Sequence, residues 1–152
     1  MRRLVFKIFV FFLPVFFYAC DSAYDTSMKS DHEVPSYKVL TDSLTVKPGQ
    51  NVGLKVEVSD NEGLQDLVFS YGDWSIMESL SDDLRQLNYP KTYLFEATIT
   101  VPDDAKEEWI EDFERNDGSV IKIVQHYHKL NLDATDINMN FRNIPIYIRV
   151  QP

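Results

Sequence analysis

Beyond residue 36 the chain alternates. Val52, Leu54, Val56 and Val58 point to one side while Gly53, Lys55, Glu57 and Ser59 point to the other, the period of two that marks a strand with one buried face. Tyr93, Phe95, Ala97, Ile99 and Val101 repeat the pattern, and Ile144, Ile146, Ile148 and Val150 close the chain with it. Shorter runs predict strands over Tyr37–Val46, Leu67–Tyr71, Val120–Gln125 and His128–Ala134, separated by turn residues at Pro48-Gly49, Asn61–Gly63, Asp117-Gly118 and Asp136–Asn143. About seven short strands punctuated in this way predict an all-β antiparallel sandwich over residues 37–152.

Two stretches break the alternation. Asp104 followed by Glu107 has the spacing of a capping box, Ala105, Trp109, Ile110 and Phe113 share a helical face, and Gly118 supplies a stop. Together they predict one inserted helix over 104–115. In residues 75–87, Trp74, Ile76 and Leu80 fit a strand while Ile76, Met77, Leu80, Leu84 and Leu87 fit a helix. The expectation there is a strand followed by a short turn.

The first 36 residues follow neither period. Residues 1–19 open with Arg2, Arg3 and Lys7, continue through the apolar run Ile8 to Tyr18 and end on Ala19. The run is shorter than the roughly 20 apolar residues a spanning helix needs, and Pro14 and Asp21 argue against an anchor helix. The pattern predicts a cleaved export signal. Residues 20–36 are rich in Ser, Thr and Asp, which predicts a flexible tether. Removing Arg2, Arg3 and Lys7 leaves 12 basic residues against 24 acidic ones, a net charge near −12. With that charge and no basic stripe, nucleic-acid binding is not expected.

The single cysteine is Cys20, so no internal disulfide can form. Phe17-Tyr18-Ala19-Cys20 resembles the lipobox of Bacteroidota-type lipoproteins: Ala19 and Cys20 match, and Phe17 and Tyr18 are bulkier than the usual residues. The resemblance implies lipidation of Cys20, with diacylglycerol on its thiol and a palmitate-type chain on its new amine. Two or more chains give stable anchoring, here to the cell envelope, at the outer membrane on either face. Cleavage leaving a free thiol is the competing outcome. Asp21 and Asp25 resemble surface-export signals of the same bacteria, and they suit a solvated linker equally well.

The order of motifs carries a second resemblance. Val56 to Leu64 matches V-x-V-x-D-x-x-G-L, and Leu130 to Asn140 follows L-x-L-x-A-x-D with Asn138-Met139-Asn140 standing where Gly-Asn is commonest. Residues 37–152 thus resemble the immunoglobulin-like or cadherin-like domains of Bacteroidota-type lipoproteins. The resemblance implies a sandwich and leaves activity open, since such sandwiches serve many functions.

Several residue groups invite chemistry. If the sandwich has immunoglobulin topology, Asp60, Asn61 and Glu62 approach Asp136, Asn138 and Asn140 at one pole, and Asp60, Glu62, Asp136 and Asn138 form a candidate calcium set. Asp and Asn also close turns with their own side chains, which is the competing account. His126 and His128, two apart, would share a strand face, but no third ligand has a metal-site spacing, and half-exposed strand positions suit them better. Tyr71, Trp74, Tyr89, Tyr93 and Trp109 could stack on a sugar, whereas a tryptophan on the third strand and one on a helix's apolar face fit the core. Glu107, Glu108, Glu111, Asp112 and Glu114 read as a solvated face. No nucleophile elbow, phosphate-cradling loop or Cys/His pair is present. The sequence therefore predicts a non-catalytic binding or accessory module for a protein or glycan. A subunit pairing through a sheet edge is the first alternative, and a hydrolase using the loop acids is the second.

Overall fold

The computed structural model describes residues 31–41 and 44–151. The export signal over 1–19, Cys20 and most of the tether lie outside the described residues. The protein divides into two units, Met1–Asp31 and His32–Pro152, and the β-structure belongs to the second. No helix among the described residues is long and apolar enough to cross a membrane.

Among the described residues ten strands and one helix follow in order: β1 Ser36–Val39, β2 Thr45–Val46, β3 Asn51–Ser59, β4 Leu64–Tyr71, β5 Ile76–Ser79, α1 Ser81–Gln86, β6 Thr92–Thr100, β7 Trp109–Glu114, β8 Val120–Gln125, β9 His128–Asp136 and β10 Phe141–Val150. β1, β3 and β6 make one sheet; β2, β10, β9, β4 and β5 make a second, in that order; β7 and β8 form a separate hairpin. Each of these pairings is antiparallel except that of β2, which runs parallel to β10. A first segment shared between both sheets, with its second half parallel to the last strand, is the immunoglobulin-like arrangement, and the fold is an all-β sandwich of that kind.

Alternation becomes burial. In β3, Val52, Leu54, Val56 and Val58 are buried and their neighbours exposed, apart from the half-buried Ser59, and β9 buries Leu130, Leu132 and Ala134 in the same way. Phe69 on β4 meets Phe95 on β6 with ring centroids 5.2 Å apart, joining the two sheets. Such a pair contributes about 1 kcal/mol beyond the area it buries. Pro145 lies in β10 where β9 flanks one side only, so its missing N–H costs no ladder bond.

Three expectations are corrected. Tyr37–Val46 is not one strand: β1 pairs with β3 and β2 with β10, with the chain crossing from one sheet to the other between them. The helix expected over 104–115 is absent, and Trp109–Glu114 is strand β7, paired residue for residue with β8. A single isolated helix of about 12 residues is marginal without packing, whereas β8 pairs with this stretch along its length, and Arg115, Asp117, Gly118 and Ser119 close the connecting turn. The helix that does form is α1, in the stretch expected to turn after β5. At 6 residues, without a side-chain cap bond, it is held by Leu84, which is fully buried.

Candidate functional site

β4 and β9 run antiparallel side by side, so the end of one stands beside the start of the other. Both ends of this ladder, about 23 Å apart at 3.3 Å per residue, carry the residues singled out above.

At the first end, Leu64 pairs with Asp136. Asp60 and Asp136 are buried and their carboxylate oxygens come within 4.8 Å. Each closes a turn. Asp60 Oδ1 accepts the N–H groups of Glu62 and Gly63 at 2.9 Å. Asp136 Oδ1 accepts those of Asn138 and Asn140 at 2.8 and 2.7 Å, and its Oδ2 accepts Asn140 Nδ2. The turns are tied together where the Ile137 N–H donates to the Gly63 carbonyl. The structure thus brings together Asp60 and Asp136 as the topology implied, with Glu62 and Asn138 exposed on the turns that follow. Their backbones, rather than their side chains, engage the acids. Asp60 Oδ2 is a buried oxygen without a hydrogen-bond partner among the described residues. Each of these acids thus closes the turn beside it.

At the second end the chain leaves β4 through a single 3-10 turn, Gly72–Trp74, closed by Ser75 in the left-handed region (φ 53°). This turn lifts Trp74 out of the strand. It is half-buried and packs against the core cluster from its margin. Trp109 opens β7 and His128 opens β9. The His128 ring is tilted against both indoles, 4.7 Å from each centroid, and Tyr71 meets Trp74 edge-on at 5.1 Å. Asp73, Pro102, Asp104, Ala105 and Lys106 complete the walls of a cleft of about 330 Å³.

Hydrogen bonds fix His128 and Tyr71. His128 Nε2 is 2.8 Å from the Lys106 carbonyl, which only accepts, so Nε2 carries the proton. In the neutral ring Nδ1 is then the acceptor facing the Tyr71 hydroxyl at 2.8 Å. That hydroxyl also lies 3.0 Å from Asp73 Oδ2, so one proton serves two acceptors in turn. Burial, the hydrogen bond to Asp73 and the charge of Asp73 hold the Tyr71 hydroxyl well above the usual phenol range. His128, at 4 % exposure, has both ring nitrogens engaged in hydrogen bonds, which leaves neither free for proton transfer to a ligand.

His126 and His128 do not share a face. His126 precedes β9, exposed, 3.7 Å from Glu108, while His128 is buried with Leu130 and Leu132. The aromatic group expected to stack divides too: Tyr71, Trp74 and Trp109 come together, while Tyr89 lies after α1 and Tyr93 on β6. The alternation of β9 is the available signal for His128, which falls in the same parity as its buried leucines.

No protein-family model matches the chain, and no curated protein does. Among solved structures the chain is similar to the BIgI domain of beta protein from S. agalactiae, bound to CEACAM1, at 17 % identity, over 77 % of this chain and 96 % of that one, with a TM-score of 0.33. The sandwich assignment rests on strand order, not on this likeness.

Proposed function

We propose that the protein is an envelope lipoprotein, cut before Cys20 and acylated there, whose sandwich binds a protein or glycan without catalysis. The carrying observation is the cleft around Trp74, Trp109 and His128: concave, walled by two indoles packed on a hydrogen-bonded imidazole. The apolar leader ending at the one cysteine supports the anchor.

The chain has two tryptophans, Trp74 and Trp109, and both line the cleft, so selectively excited tryptophan emission reports on this site. Titration with separated glycan and protein fractions of the envelope is expected to change that emission saturably with one of them. No change with either would sink the reading. Membrane fractionation tests the anchor: Cys20→Ala is expected to move the protein out of the membrane fraction and to abolish palmitate labelling.

A second reading, a subunit that assembles through strand pairing, is favoured by free edges. β5 has β4 as its one neighbour and β6 has β3, among the described residues. Sedimentation decides between them, because a subunit associates with itself or a partner strand and a solitary module stays monomeric.

A further inference from the structure

The cleft's chemistry narrows what it takes. We propose that its ligand is a cationic group, an alkylammonium or a guanidinium. This rests on the cleft being the binding site, as argued above.

Both components of the wall are electron-rich. The indoles of Trp74 and Trp109 present π systems, whose faces attract cations. Asp73 and Asp104, exposed at the rim, add two carboxylates that only accept hydrogen bonds. Lys106 is the one basic side chain in the lining among the described residues, apart from the engaged His128. A sugar hydroxyl both donates and accepts, and it is held best where carboxylates alternate with amides or guanidinium groups. No Asn, Gln or Arg among the described residues lines this cleft. An ammonium or guanidinium only donates, which suits walls that mostly accept.

The surroundings carry the same sign. β7 begins at the cleft and leads away from it with Glu111, Asp112 and Glu114, and Glu107 and Glu108 precede it. The whole chain has 24 acidic against 15 basic residues, a field that draws cations toward such a site. Trp74 and Trp109 each pack on His128, whose own ring nitrogens are hydrogen-bonded, so little ordering of the walls is needed on binding.

The same chemistry is available from a basic side chain of a protein or from a small free amine, and the experiment separates them. The full chain in detergent is titrated with butylammonium, with N-acetyl-arginine amide and with a short peptide of alternating lysine and apolar residues. Sodium chloride at matched ionic strength and glucose serve as controls. Tryptophan emission is expected to change saturably with the cationic probes and with neither control. Binding is expected to weaken about tenfold in the double variant Asp73→Asn with Asp104→Asn, the scale of removing charge attraction at a partly exposed site. Tighter binding of the peptide than of butylammonium assigns the source to a protein, and equal binding to free amines. A saturable response to glucose and none to the cations overturns the inference while leaving the cleft as a binding site. Silence toward every probe overturns it as well, and the fraction titrations above then decide the binding reading on their own. Both rim acids are exposed, so the variant is expected to fold, and its melting curve checks that.

Discussion

The carboxylates of Asp60 and Asp136 come within 4.8 Å of each other at one end of the β4–β9 ladder, and each organises the turn that follows its own strand. Asp136→Ala removes the acceptor for two backbone N–H groups and the Asn140 side-chain amide. The variant is expected to lose about 3 kcal/mol of stability, measured by urea unfolding, the scale of buried donors left unpaired. Asp136→Asn retains one acceptor oxygen and should lose less.

Calcium has a defined test at the same place. A cation there would take Asp60 Oδ2, the oxygen that the turns leave without a partner among the described residues. If calcium is that cation, millimolar calcium raises the melting temperature, a chelator reverses the rise and Asp60→Asn abolishes it. An unchanged melting temperature leaves both acids as turn closers.

Gly63 stands between the two turns with φ 140°, and a Cβ built on it would lie 2.6 Å from the Tyr89 carbonyl oxygen. Gly63→Ala is therefore expected to cost about 2 kcal/mol, from backbone strain plus the clash. Unfolding at equilibrium measures it, and a neutral result would mean that the 87–90 segment yields readily.

Tyr71 gives a pH signature. Its hydroxyl is held above the phenol range in the fold, whereas in the unfolded chain it ionises near its ordinary value of 10.0. Above pH 10 the unfolded state thus binds fewer protons than the native state, and stability falls as pH rises. Well below that value the group contributes no slope. Tyr71→Phe should flatten the alkaline loss relative to wild type, and one of the 8 tyrosines should titrate last in native absorbance measurements.

Trp74 and Phe69 separate wall from core. Phe69 is fully buried and touches Phe95 across the sheets. Phe69→Ala is expected to cost about 4 kcal/mol and Trp74→Ala roughly half of that or less, since the indole is partly open to solvent. Equal losses would return Trp74 to the core.

How far the sequence can be read follows from which interactions are local. β3, β6 and β10 are legible because a period of two has one explanation when every second residue is Val, Ile, Leu or Phe. Residues 104–115 mislead because Trp109, Ile110 and Phe113 fit a helical face as well as a ribbon. Pairing with β8 decides the matter, and a distant partner leaves no local mark. The meeting of Asp60 with Asp136 is legible once the strand order is assumed. The cleft is not: its three rings come from the turn after β4, the start of β7 and the start of β9, and a single 3-10 turn sets Trp74 at the core's margin.

The split of the first strand has a mechanical consequence. Tension entering the sandwich along the chain from residue 35 meets β1 first, held to β3 through 4 residue pairs, and then β2, held to β10 through 2. These two short pairings lie on different sheets, so a load passing along the chain would have to break them one after the other. The ladder of β4 and β9 lies one strand further in, behind β10, and is joined to β10 through 8 residue pairs.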